Sequence, residues 1–175
     1  MSMPEGSSVL IAAEAVSKAY EDLAKRVDET VPAGEVLMLP VMNGGMFPAL
    51  ELARRLPRRQ RFDYVHATRY RGATRGDVLS WLHWPELPEQ GMTVHLIDDI
   101  FDEGYTLQAI CQRLPARFDV YTVVLACKQH DRGLPRDWVD FVGLEVPDHY
   151  VFGCGMDYSE YHRELDEIWT LNAPH

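Results

Sequence analysis

The stretch Val94-His95-Leu96-Ile97-Asp98-Asp99-Ile100-Phe101-Asp102-Glu103-Gly104-Tyr105-Thr106-Leu107 constrains this chain more than any other. Val94 to Ile97 is mostly apolar and reads as a buried strand. Asp98 and Asp99 close it, and Asp102 follows. Glu103 to Thr106 then lead into a helical pattern, with Leu107, Ile110, Cys111 and Leu114 on one face and Pro115 past the end. A strand that turns through a small loop into a helix start presents backbone amides to an anion. Acids beside such a loop can hold sugar hydroxyls or a metal, or take a proton. Taken alone, Asp102 fits an N-cap equally well, and Asp98 and Asp99 fit plain polar residues at a strand end.

The rest of the chain repeats the strand-to-helix theme. Residues 1–8 are polar and are expected to be disordered. Val16, Tyr20, Leu23 and Val27 give a packing helix. Glu35 to Met42 is an apolar run of strand length, in which Pro40 must perturb regular pairing. Asn43-Gly44-Gly45 follows, then Phe47, Leu50, Leu52, Ala53 and Leu56 fit a helix that stops before Pro57. Phe62 to Ala67 alternates like a strand. Thr68 to Asp77 is basic and glycine-punctuated, and it reads either as a mobile surface loop or as a flap over an anion. Val78 to Trp84 returns as a strand. Val120 to Cys127 is a strand covered on both faces, with Lys128 at its end and His130, Asp131 and Arg132 after it. Trp138 to Gly143 is another strand. Tyr150 to Asp157 passes through two glycines to an acid, and Tyr158 to His162 reads as a helical turn before Arg163.

This alternation predicts an α/β fold with a mainly parallel central sheet flanked by helices. In such sheets ligands sit outside the C-terminal strand ends. Asn43 to Gly45, Asp98 to Thr106, Lys128 and Asp157 all fall at apparent strand ends, so the pattern points to one shared site. At 175 residues the chain is expected to form one domain, 1–175. A net charge of −10 argues against nonspecific nucleic-acid binding, which needs a basic surface. Cys111, Cys127 and Cys154 lie far apart and odd in number, as in a reduced, cytoplasmic protein. No signal peptide or membrane-spanning run is read from the sequence.

The Asp98 to Thr106 motif resembles the PRPP-binding signature of the type I phosphoribosyltransferases. The resemblance narrows to the hypoxanthine-guanine phosphoribosyltransferases through Val41 to Gly45, Asp63 to His66, Arg69-Tyr70, Lys128, Phe141 to Gly143, Pro147 to Val151, Gly153 to Tyr158 and Tyr161 to Arg163, in order and spacing. It covers roughly residues 35–171.

The resemblance implies a type I phosphoribosyltransferase fold with a small hood and a flexible flap at about 68–78. The implied activity is purine salvage, transferring the phosphoribosyl group of PRPP to hypoxanthine or guanine. By the same resemblance the products would be IMP or GMP and pyrophosphate, Mg2+ would be required, and the enzyme would be a homodimer or homotetramer. Asp98 and Asp99 would hold the ribose hydroxyls, directly or through magnesium. Asp102 would be the general base. Asp102, Glu103, Gly104, Tyr105 and Thr106 would form the 5′-phosphate loop. Met42, Asn43 and Gly44, in a loop that often has a non-proline cis peptide, would bind pyrophosphate with Arg163. Lys128 would meet the purine 6-oxo group, Tyr150 would stack on the base and Val151 would touch its edge. Asp157, beside the purine, would bind magnesium. Arg69 and Tyr70 would sit on the flap.

Each role has a plainer rival. Lys128 fits a solvated lysine, Tyr150 fits core packing, and Asp157 with Arg163 fits a surface ion pair. Three residues depart from the family pattern. Glu103 stands where Thr or Ser is usual, and its carboxylate is expected to face away from the phosphate. Asn43 replaces a common Lys, and Arg69 replaces a flap Ser. The alternatives are a xanthine-preferring enzyme and a non-catalytic PRPP- or nucleotide-binding regulator.

Overall fold

The computed structural model describes residues 3–70 and 78–171. Two apolar periodicities build it. Helix α1 (Ala13–Thr30) buries Val16, Ala19, Tyr20, Leu23, Ala24 and Val27, one stripe at helical spacing. Helix α2 (Met46–Arg55) buries Pro48, Ala49 and Leu52. Helix α3 (Tyr105–Arg113) buries Leu107 and Ile110. The strands are β1 (Ser7–Ile11), β2 (Val36–Met42), β3 (Gln60–Phe62), β4 (Val65–Tyr70), β5 (Val78–His83), β6 (Thr93–Phe101), β7 (Asp119–Gln129), β8 (Phe141–Pro147), β9 (Val151–Phe152) and β10 (Ile168–Leu171).

The large sheet runs β5-β4-β2-β6-β7-β8, with β3 also pairing β2. All its pairings are parallel except β4 with β5. Parallel strands covered on both faces need apolar residues on both. Val94 and Leu96 of β6 join Leu107 and Ile110 in one core. Ile97 joins Val16, Leu23 and Leu52 in the other. The sheet is thus filled by α3 on one side and by α1 and α2 on the other. No helix among the described residues is long and apolar enough to cross a membrane.

Several expectations need correction. Ser7 and Ser8, read as disordered, pair with Leu171 and Thr170 of β10. That pairing belongs to a second sheet, β1-β10-β9, whose register comes from residues far apart in sequence. This small sheet is the expected hood. Asp98 and Asp99 do not close β6. The strand continues to Phe101, paired with Cys127. Leu50 lies on the exposed face of α2 at 47% exposure. Trp138 sits in a 3-10 turn, Arg136–Trp138, ahead of β8. Tyr158 to His162 is not helical, since Tyr158 and Tyr161 form a tight antiparallel bridge with positive φ at Ser159 and Glu160. Of the expected flap, Thr68, Arg69 and Tyr70 belong to β4 and Val78 to β5, and residues 71–77 lie outside the described residues. The expectation for Pro40 holds. On one side of β2 the partner is β3 at Val36 to Met38 and becomes β4 at Val41 and Met42, so the change spans the residue that lacks an N–H.

One core residue breaks the apolar rule. His95, in the middle of β6, is fully buried, and neither ring nitrogen has a partner among the described residues. Burial, with the Arg58 guanidinium adding to it, pushes its pKa down to about 4. The folded chain therefore resists a proton that the unfolded chain accepts below about pH 6.5. The neutral ring's contribution is intact above that pH and is lost as pH falls toward 4, up to about 3 kcal/mol. His95→Leu should match or exceed the parent's stability at pH 7 and lose less of it at pH 4. Urea unfolding of both proteins at pH 7, 5 and 4 checks this, and parallel losses would refute it.

Candidate active site

The C-terminal ends of β2 and β6 lie side by side, and their packing fixes the site. β2 ends at Met42, and the Met42–Asn43 peptide is cis, as the resemblance implies. Gly44 follows under the Asp99 carboxylate. A Cβ built on Gly44 would lie 1.9 Å from Asp99 Oδ2. Gly155, at φ +107°, closes the same spot from the hood side, where a Cβ would lie 2.4 Å from the Gly44 carbonyl oxygen. Only residues without a side chain let these three segments meet.

Asp99 is buried, and Asp98 is partly so. The Asp99 backbone N–H donates to Asp98 Oδ1 at 3.0 Å, and the Ile100 N–H donates to Asp99 Oδ1 at 2.7 Å. Burial, then the charge of Asp99, drives the Asp98 pKa well above the carboxylate range. Burial also raises Asp99, against hydrogen bonds and the Arg163 guanidinium, whose Nη1 lies 3.8 Å from Asp99 Oδ2. A pair that resists holding two charges alone can accept hydroxyl donors or a cation.

Asp102, three residues on, is placed in the opposite electrostatic setting. Lys128 Nζ donates to its Oδ2 at 2.9 Å, and His130 Nε2 lies 2.6 Å from its Oδ1. Arg132 Nη2 stands 4.0 Å from Oδ1. Partial burial would raise its pKa, but the hydrogen bonds from Lys128 and His130 outweigh that, and the carboxyl lies below its ordinary value. Asp102 also stands between two clefts. One, of about 270 Å3, is lined by Asp98, Asp102, Glu103, Gly104, Thr106 and Arg132. The other, of about 280 Å3, is lined by Asp99, Asp102, Lys128, Tyr150, Val151 and Asp157.

The first cleft opens onto the start of α3. Gly104 caps that helix in a left-handed conformation, and no side chain does so. The first bond of the helical ladder runs from the Gln108 N–H to the Gly104 carbonyl, so the ladder leaves the preceding amides to other partners. Asp102 is therefore not the N-cap that its sequence position also allowed.

In the second cleft Tyr150 is 50% exposed, with its hydroxyl donating to the Asp157 carbonyl at 2.9 Å. Arg163 donates to Asp157 Oδ1 at 2.7 Å and to the Gly155 carbonyl at 2.5 Å. The ion pair offered as the plainer reading of Asp157 and Arg163 is therefore present, and it stands at the cleft rather than on a remote surface. Asn43 is exposed beside Gly44. Arg69 and Tyr70 lie on β4, at the edge of the segment outside the described residues.

Two neighbours of Asp102 had no assigned role in the sequence reading, His130 and Arg132. Both lie just past the C-terminal end of β7, where ligand-facing residues collect, and that position was the available signal. Arg132, bidentate to Asp148 at 2.7 Å, brings a cation to the cleft that holds Glu103.

No group of three or more acids, histidines or cysteines fit for a metal exists among the described residues. The Asp98–Asp99 pair, or Asp157 by itself, instead offers the one or two carboxylates that an ion of the Mg2+ type takes, with water and ligand oxygens for the rest.

Residues 7–160 match the family described as the phosphoribosyl transferase domain. The chain is 28% identical over 174 residues to the hypoxanthine-guanine phosphoribosyltransferase of Mycobacterium avium, covering 94% of this chain and 85% of that one. It is 39% identical over 87 residues to the hypoxanthine-guanine-xanthine phosphoribosyltransferase of Plasmodium falciparum, 47% of this chain and 36% of that one. Its backbone follows that of the hypoxanthine phosphoribosyltransferase from Trypanosoma cruzi in complex with the product IMP. The TM-score is 0.84 at 23% identity, with 98% of each chain covered.

The packing at Gly44 and Gly155 sets their relative sensitivity. Gly155→Ala adds a Cβ against backbone at a positive φ and should cost at least about 2 kcal/mol. Gly44→Ala strikes a side chain that can rotate, so it should cost less stability but displace the Asp99 carboxylate. Thermal melts compare the two variants, and a Gly44→Ala protein that melts lower than Gly155→Ala contradicts this packing.

Proposed function

This chain belongs to the phosphoribosyl transferase family, and from that premise we propose that it transfers the 5-phosphoribosyl group of PRPP to hypoxanthine or guanine. The products are IMP or GMP and pyrophosphate. The observation that carries this reading is the position of Asp102 between an anion-ready cleft and a cleft holding Lys128 and Tyr150.

The 5′-phosphate occupies the first cleft, against the amides that precede Gln108, the Thr106 hydroxyl and the Arg132 guanidinium. Arg132 offsets the Glu103 carboxylate there. Asp98 and Asp99 accept from the ribose hydroxyls. The purine enters the second cleft with its face on Tyr150 and its 6-oxo group toward Lys128. Lysine is a pure donor, so it satisfies a 6-oxo group and leaves the 6-amino group of adenine facing another donor.

Asp102 faces the imidazole edge of the base. Held ionised, it is ready to accept the proton that the attacking ring must lose. As the 6-oxo group takes part of the donor capacity of Lys128, the Asp102 carboxylate loses stabilisation and gains proton affinity when it is needed. Met42, Asn43 and Gly44, with Arg163, receive the departing pyrophosphate. Asp98, Asp99 and Asp157 are the groups that would hold Mg2+, which supplies charge neutralisation to that leaving group when bound. The β4–β5 arm shields the sugar from water.

The direct test is pyrophosphate release with PRPP, Mg2+ and each of hypoxanthine, guanine, xanthine and adenine. Hypoxanthine and guanine should turn over and adenine should not, and release with adenine alone would overturn the reading. Turnover of xanthine as well is the second reading, favoured by the local identity to the Plasmodium relative, and the same assay ranks it. Asp102→Asn should lower kcat by roughly 100-fold or more while PRPP still binds. Turnover equal to the parent's would remove Asp102 from the role of base.

A further inference from the structure

His130 has no counterpart among the roles assigned above, yet it makes the shortest contact to the proposed base. Its side chain is 6% exposed, and Nε2 lies 2.6 Å from Asp102 Oδ1. The second ring nitrogen settles its state. The Arg132 backbone N–H donates to His130 Nδ1 at 3.1 Å. A nitrogen that accepts from an amide carries no proton of its own. The hydrogen of a neutral ring therefore sits on Nε2, and Nε2 donates to Asp102. Protonating Nδ1 would set two donors against each other. The ring is thus an N–H donor whose remaining lone pair is already engaged.

From this arrangement we infer that His130 is a positioning residue for Asp102: as the neutral Nε2–H tautomer it pins Oδ1, leaving Oδ2 as the oxygen that passes from Lys128 to the purine proton. The inference rests on the reading of Asp102 as base and adds the identity of its working oxygen. In the step that follows, the N–H bond at the imidazole edge breaks and its proton moves to Oδ2. The electron pair stays in the ring, and the other imidazole nitrogen bonds to the anomeric carbon as the carbon–oxygen bond to pyrophosphate breaks. His130 does not take the proton, because Nε2 already bears one and Nδ1 is engaged. The proton stays on Asp102 until the cleft opens to water.

The charged groups around this pair are accounted for. Lys128 and Arg132 come from the end of β7 and the loop beyond it. Asp98 and Asp99 come from β6, and Glu103 from the turn into α3. Asp148 follows β8, bound by Arg132, and Asp157 borders the second cleft. Only Lys128 and His130 lie within hydrogen-bond distance of Asp102 among the contacts described. Losing the His130 donor should leave Lys128 unchanged as the partner of Oδ2 and let the carboxylate rotate.

The test has two independent readouts. Nitrogen-15 NMR of the intact protein at pH 7.5 should give a His130 ring with a bare Nδ1 and a protonated Nε2. A ring protonated at Nδ1, alone or at both nitrogens, overturns the inference. In kinetics at saturating PRPP with the base varied, His130→Ala should lower kcat on the order of tenfold, the worth of one charge-assisted hydrogen bond. It should also move the acid limb of kcat/KM to higher pH, since the carboxylate loses a donor. His130→Gln, which keeps an N–H donor, should recover part of both effects and serves if the alanine variant does not fold. A normal kcat and an unmoved acid limb in folded His130 variants, with Asp102→Asn inactive, defeat this inference alone. Full turnover by Asp102→Asn defeats the reading beneath it.

Discussion

The site depends on one piece of close packing, the Asp99 carboxylate seated against Gly44 with Gly155 closing over it. β6 is central in the sheet, so its C-terminal end is enclosed by β2 and β7 on either side and by the hood above. A carboxylate there meets backbone from two other segments. Neither contact admits a Cβ. The constraint thus ties the proposed pyrophosphate loop, the acidic pair and the hood turn into a single unit, and Arg163 reaches two of its acids, Asp99 and Asp157.

The same geometry separates the behaviour of three acids within five residues. Asp98 and Asp99 are pushed toward the protonated state by burial, and Asp98 further by the charge of Asp99. Asp102, more open and facing Lys128 and His130, is held ionised. Titratable groups driven apart in this way mark different chemical roles. The raised pair suits groups that bring their own positive charge or hydrogen-bond donors. The depressed one suits an acceptor that must be free of a proton before the reaction starts.

Much of this was legible in the sequence, because strand periods, glycine turns and the Asp98 to Thr106 motif are local. What escaped detection was set by distant contacts. Ser7 and Ser8 look like a polar tail, and only pairing with β10, more than 160 residues away, makes them a strand. Asp98 and Asp99 look like a strand end because acids are rare inside sheets. Their backbone nevertheless continues the ladder to Phe101, since their side chains find local N–H donors. Tyr158 to His162 has helix-compatible residues but turns through positive φ to let Arg163 return to the Gly155 carbonyl. The pairing of His130 with Asp102 joins residues 28 apart and has no local signature.

An acidic chain of net charge −10 that binds a polyanion needs its charge arranged locally. Lys128, Arg132 and Arg163 all stand at the two clefts, and each is already paired with an acid, Asp102, Asp148 or Asp157. Pairing keeps the cations in place before a ligand arrives, and it makes binding an exchange of partners rather than the capture of a free charge. Such an exchange costs less reorganisation than ordering three loose side chains. It also explains how Glu103 would be tolerated beside the proposed 5′-phosphate. Arg132 stands in the same cleft, and the backbone of Glu103 is fixed by its carbonyl, which accepts from the Leu134 N–H at 3.0 Å. The loop after β7 therefore serves both clefts at once, holding the turn at Glu103 with Leu134, supplying a cation with Arg132 and contacting Asp102 through His130.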